Sequence, residues 1–182
     1  MYRPSRNKSP LNCVIFALTL IAGLLITETA AIANPFSFGL RGGRTRITDS
    51  ANQHFRDSTT LGAMLGLDLI SFEYFTTGLQ FDYTRTIIND TVTDSISSTT
   101  LEYEEEIKAG FLVIRIGGEV YLKALAGAAN RRLTTEDELI SDTTRGSYGG
   151  AIGFQLVSGS SIEIEYIEYD TDVTVVTFGF VF

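Results

Sequence analysis

Acid–base or nucleophilic chemistry at neutral pH would call on histidine or cysteine first, and this chain has one of each. His54 stands among Asp49, Ser50, Asp57 and Ser58, the residue types of a hydrolytic triad. A triad works only when the imidazole is held between a hydroxyl and a carboxylate. Here the stretch is a polar run whose loop composition accounts for the cluster, so we assign it no catalytic role. Cys13 lies inside an N-terminal apolar run, and the chain beyond it has no thiol for catalysis or metal binding. Glu104, Glu105 and Glu106 offer oxygen ligands of the kind hard cations take, but without the fixed spacing of a cation-binding loop. Gly149, Gly150 and Gly153 do not form a phosphate loop, because no helix follows them. No cofactor and no metal site is expected.

A different set of groups carries charge instead of catalysis. Arg41, Asp68, Arg115, Lys123, Glu163 and Glu165 all stand in segments that otherwise read as strands. Their role depends on the elements that position them.

The N-terminus reads as a targeting segment. Arg3, Arg6 and Lys8 precede the apolar run 11–27, and Ala31-Ile32-Ala33 supplies small residues where a signal peptidase cuts. Residues 1–33 are therefore expected to be a cleaved secretory signal and residues 34–182 one mature domain. After cleavage 11 basic and 21 acidic residues remain, a net charge of about −10. Such a chain is a poor ligand for nucleic acid.

Beyond residue 33 no apolar stretch is long enough for a membrane helix. The pattern is alternating and rich in Phe, Tyr, Val, Ile, Thr and Gly, which indicates strands. Eight are expected, at about 35–45, 59–70, 73–87, 105–116, 119–129, 146–157, 161–170 and 172–182. Short turns at Ser71-Phe72, Gly117-Gly118 and Ser158-Gly159-Ser160 alternate with polar connections at 46–58, 88–104 and 130–145. Asp170-Thr171-Asp172 makes a short last connection. Each strand has the roughly 9–11 residues that a tilted bilayer crossing needs. The fold class is all-β, an eight-stranded antiparallel up-and-down transmembrane β-barrel, closed because an open sheet edge cannot be satisfied in lipid.

The last strand sets the phase, with Val176, Phe178, Phe180 and Phe182 on the lipid side. Matching apolar sets are Phe36/Phe38/Leu40, Leu61 to Leu69 at odd positions, Thr77/Leu79/Phe81/Tyr83, Gly110/Leu112/Ile114/Ile116, Val120/Leu122/Ala124/Ala126, Tyr148/Gly150/Ile152/Phe154/Leu156 and Ile162/Ile164/Tyr166. The outward charges are then Glu73, Lys108 and Glu168, all expected near strand ends. Inward lie Gln80, Asp82 and Gln155, together with the six charges named above. Those six are three cations and three anions near one end of the barrel. Buried ions need partners, so a neutral ion-pair network in a packed polar core is expected.

The C-terminal strand, with alternating aromatics and a terminal Phe182, resembles the ending of bacterial outer-membrane proteins. With eight strands and a signal sequence, residues 34–182 resemble the OmpA/OmpX-like family of small barrels. The resemblance implies that Phe178, Phe180 and Phe182 are read by the barrel-assembly machinery, and that the surroundings are outer-membrane lipid and lipopolysaccharide. Glu104 to Glu106 then form a solvated rim, and Arg131 and Arg132 contact anionic headgroups. Members of the family are implied to be structural proteins, adhesins, narrow pores or lipid A–modifying enzymes. The enzymes need a His/Ser pair on the barrel wall, and no histidine is expected within a strand here. The expected function is a non-enzymatic, monomeric integral barrel with a structural or surface-interaction role. A narrow passive channel is the alternative, and a lipid A–modifying enzyme the remote one. A soluble lipocalin-like barrel would require the opposite polarity of its two faces.

Protein recovered from membranes should begin at Asn34. Intact-mass measurement checks this, and a mass that still includes residues 1–33 would identify an uncleaved anchor instead.

Overall fold

The computed structural model describes residues 35–48, 53–55, 57–88, 90–94, 100–135, 138–156 and 159–182. The segment 1–33 expected as a signal lies outside them. Every assigned element is a strand: β1 (Phe36–Ile47), β2 (Gln53–Phe55), β3 (Ser58–Phe72), β4 (Phe75–Ile88), β5 (Asp90–Asp94), β6 (Thr100–Gly117), β7 (Val120–Thr135), β8 (Glu138–Gln155), β9 (Ser161–Asp170) and β10 (Val173–Val181).

Eight of these form a closed antiparallel ring in the order β1–β3–β4–β6–β7–β8–β9–β10 and back to β1. The closing seam runs from Gly39 opposite Val181 to Ile47 opposite Val173. It ends in a reciprocal pair of backbone bonds, Phe38 N–H to Phe182 O at 3.0 Å and Phe182 N–H to Phe38 O at 2.7 Å. The eight-stranded barrel expected from alternation is thus the fold. The remaining two strands are not part of the ring: β2 pairs with β5, and β5 with the start of β6.

Several boundaries differ from the sequence reading. The β3–β4 turn lies at Glu73-Tyr74, with Phe72 opposite Phe75, two residues beyond the expected Ser71-Phe72. Before the turn, a bulge between Asp68 and Ile70 adds one residue to β3. Leu69 and Ile70 are both exposed, so the outward side switches from odd to even positions there. The β6–β7 turn is centred on Gly118-Glu119. Gly117 enters it at φ 130°, where a Cβ would stand 2.3 Å from the Val120 carbonyl.

The polar connections are mostly strand. Segment 130–145 is the upper part of the β7–β8 hairpin, paired from Asn130 opposite Thr144 to Thr135 opposite Glu138. Segment 88–104 contains β5 and the first residues of β6. Segment 46–58 contains β2, so His54 does stand in a strand, although one that joins β5 and not the ring.

The outward apolar sets are exposed as their parity requires, with Leu112 at 65%, Leu122 at 64% and Phe178 at 49%. Above this belt each ring strand turns a polar residue outward: Arg44, Thr59, Arg85, Lys108, Asn130, Thr144, Glu168 and Thr174. Lys108 is not near a strand end, because β6 continues upward to Thr100, but it does sit where the apolar belt stops. The chain termini of the barrel, at residues 35 and 182, are at the lower end.

A cation in the belt would be far costlier than one at its rim. Leu112→Arg should lower stability in lipid vesicles by about 2–4 kcal/mol, and Thr174→Arg by no more than about 1 kcal/mol. Urea unfolding of the two variants checks the contrast.

Candidate functional site

Inward side chains divide the lumen into three levels. The middle level is an ion-pair network fed by four strands. Arg41 from β1 bonds Glu165 of β9, lies 3.2 Å from Asp82 Oδ2 of β4 and 3.5 Å from Glu163 Oε2 of β9. Lys123 from β7 bonds Glu163 and lies 3.2 Å from Glu165 Oε2. Gln80 ties the two halves together. Its Nε2 donates to both Asp82 oxygens at 3.0 Å, and its Oε1 accepts from Lys123 Nζ at 3.2 Å. All six side chains are buried.

The network fits because neighbouring strands leave it space. Gly179 lies opposite Arg41, where a Cβ would come within 2.6 Å of the arginine Cγ. Gly153 lies opposite Tyr121, where a Cβ would stand 2.1 Å from the ring. The Tyr121 hydroxyl donates to Glu163 Oε1 at 2.7 Å and lies 2.8 Å from Ser161 Oγ.

Arg115 and Asp68 belong to the lower level. They pair with each other at 3.6 Å, both partly exposed. Arg115 also donates to Thr76 Oγ1 at 3.3 Å and stacks 5.3 Å over the Tyr121 ring. Tyr121 therefore links this pair to the network above it. A cleft lined by Asp68, Thr76, Arg115, Lys123 and Glu163 occupies this level.

The structure thus gathers Arg41, Lys123, Glu163 and Glu165 into one cluster and sets Arg115 and Asp68 apart as a second pair. It adds Asp82 and Gln80, which the sequence placed inside the barrel but not in the network. With Asp82 counted, the middle cluster has two cations and three carboxylates, an excess of one acid where a neutral set was expected. Parity alone cannot identify such a partner. The register does, because it puts Asp82 at the height of Arg41.

The upper level is mixed, an apolar cluster facing the buried hydroxyls of Thr45, Ser58, Thr60 and Thr86. Ile47, Tyr103, Ile107, Phe111, Leu125, Leu133, Ile167, Tyr169, Val173 and Val175 form one buried cluster. The Phe111 and Tyr169 rings lie 6.3 Å apart. Among them Glu105 is buried and bonded to Arg131. The acidic run is therefore split by parity. Glu104 and Glu106 turn outward to Arg85 and Lys108, whereas Glu105 turns in. Arg131 also turns in, so of the two arginines expected at headgroups only Arg132 remains exposed.

Phe178 and Phe180 stand on the outer wall with their rings edge to face at 5.7 Å, and Phe182 completes the seam to β1. Among the described residues no group of three or more His, Cys, Asp or Glu is arranged to hold a metal ion.

Neither a family model nor a curated protein sequence matches the chain. Solved structures do. Ail, the attachment invasion locus protein of Yersinia pestis, in complex with the heparin analogue sucrose octasulfate, aligns with TM-score 0.54 and 16% identity, covering 80% of this chain and 94% of its own. The outer membrane protein OprG from Pseudomonas aeruginosa gives TM-score 0.53 and 10% identity over 80% of this chain and 95% of OprG. Neisserial surface protein A gives TM-score 0.52 and 8% identity over 81% of this chain and 96% of its own. At these identities the likeness is one of fold, the fold of small outer-membrane barrels.

Removing Arg41 would leave three buried carboxylates facing Lys123 alone. Arg41→Ala should destabilise the folded barrel by about 3–5 kcal/mol, and adding Glu165→Gln should restore part of that loss. Denaturant titration of both variants, followed by the gel shift on heating, checks the expectation.

Proposed function

We propose that this chain is an integral outer-membrane barrel without enzymatic activity, whose lumen is sealed and whose upper strands present a surface for interaction. The observation that carries the reading is the filled lumen. A path along the axis meets the ion-pair network first and then the apolar cluster between Ile47 and Tyr169. An ion that displaced Arg41 or Lys123 would still face the packed upper layer, where the apolar cluster closes against buried threonines and an unpaired charge is strongly disfavoured. The lower cleft is a vestibule without an exit.

Other parts of the reading follow from the same features. The apolar belt suits hydrocarbon, and the polar outward ring suits the headgroup level. The lower end, where the barrel chain begins and ends, faces the periplasm, and residues 1–33 direct export and are cleaved. Phe178, Phe180 and Phe182 serve as the assembly signal for the barrel-assembly machinery, and the protein is monomeric in outer-membrane lipid. His54, the one histidine, belongs to β2 outside the barrel wall, which argues against a wall-mounted catalytic pair. The hydrogen-bonded extension of β6, β7 and β8 above the belt gives a rigid platform for contacts outside the cell, and the attachment protein Ail shares the fold.

Planar-bilayer recording of the purified protein tests the seal. No reproducible ohmic steps are expected from the unchanged chain, nor from Lys123→Ala or Glu163→Ala, because the packed upper layer persists in both. Regular steps that shrink in these variants would establish the channel instead.

A further inference from the structure

The outward polar ring above the belt is unevenly charged. Arg44 on β1, Arg85 on β4 and Lys108 on β6 fall within four consecutive ring strands, with Thr59 on β3 between the first two. The other strands contribute Asn130, Thr144, Glu168 and Thr174. One side of the barrel therefore has a cationic arc at the height where the apolar belt ends, and the opposite side has a single acid.

The members of the arc are not equally engaged. Arg85 is held by Glu104, and Lys108 by Glu106 at 2.6 Å, both from the row above. Higher on β1, Arg46 pairs with Asp57 at 3.3 Å. Among the described residues no carboxylate lies within ion-pair distance of Arg44. Directly below it on the outer wall is Gly42, where a Cβ would meet nothing within 4 Å. Gly42 is flanked by Phe178 on β10 and Leu61 on β3. The wall therefore has a notch between two large apolar side chains, and the Arg44 guanidinium stands above it.

We propose that this arc and notch bind a multiply phosphorylated glycolipid of the lipid A type. One acyl chain lies in the Gly42 notch between Phe178 and Leu61. One phosphate meets Arg44 beside the hydroxyl of Thr59, and a second meets Arg85 and Lys108. Arg44 and Arg85 are two interstrand steps and two residues of register apart, roughly 12 Å, so the arc suits a headgroup with separated phosphates better than a glycerophospholipid with one. Guanidinium groups suit phosphate because their planar donors can bond two oxygens at once. This inference rests on the outer-membrane reading above, and it moves the headgroup contact from Arg131, which is turned inward, to the β1–β6 side.

Titration of lipopolysaccharide against the exported protein, folded in a non-ionic detergent and immobilised, tests it. Arg44→Gln should weaken binding roughly fivefold and Arg44→Gln/Arg85→Gln roughly 25-fold, at about one cation's worth of surface attraction each. Thr144→Ala, on β8 across the ring from β1, should bind as the unchanged chain does. Dephosphorylated lipopolysaccharide should bind the unchanged chain as weakly as the double variant binds the intact lipid. Equal affinity of the double variant and the unchanged chain would overturn the proposal, as would undiminished binding of the dephosphorylated lipid. Equal competition by phosphatidylglycerol vesicles would overturn the choice of a multiply phosphorylated lipid. Every sample is also run boiled and unboiled. A gel shift with no loss of affinity removes the arc alone, whereas absence of the shift in the unchanged chain removes the barrel reading as well.

Discussion

The hydrogen-bonded seam between β1 and β10 is the constraint on which the rest depends. Backbone N–H and C=O groups that face hydrocarbon have no water to bond, so a sheet in lipid has to close on itself. Here the closure is made by nine register pairs and completed by the reciprocal bonds of Phe38 and Phe182. Once eight strands close, the interior is only wide enough for side chains. What fills it is then set by packing. Gly179 is small because Arg41 crosses in front of it, and Gly153 because the Tyr121 ring does.

The polar outward ring marks the upper edge of the apolar belt on the outer wall, and the inner face does not change at the same height. Below the ring the outer face is apolar and the inside holds Arg41, Lys123, Asp82, Glu163 and Glu165. Above it the outer face carries Glu104, Glu106 and Arg132, and the inside holds Tyr103, Leu133 and Tyr169 with Glu105 and Arg131, whereas Phe111, Leu125 and Ile167 lie inside below it.

This division explains how much was legible beforehand. Alternation over residues that face lipid gave the ring strands and their parity, because an outward charge there is costly. Above the ring that cost disappears. Segment 130–145 is charged on its outer face, so it resembled a loop although it is paired strand. Glu105 and Arg131 were taken for surface charges, although parity continued from Ile107 and Ala129 would have turned both inward. The lumen cluster was half legible, since Arg41, Lys123, Glu163 and Glu165 announce themselves as charges inside a strand. Asp82 joins them only through register, which depends on turn positions and on the bulge at Asp68. One inserted residue changes heights without leaving any mark in composition.

The hairpin of β7 and β8 continues well past the ring, whereas β9 and β10 meet in a two-residue turn at Thr171-Asp172 close above it. The mouth is therefore lopsided, tall on one flank and low on the other. A barrel anchored in a membrane still spins about the membrane normal, and a lopsided one has a compass bearing. A large body arriving from the side meets a wall or an open step according to the instant at which it arrives. For any such body the approach would be filtered by rotational diffusion in the plane as well as by chemistry, a filter that a crowded membrane, by slowing the spin, would sharpen.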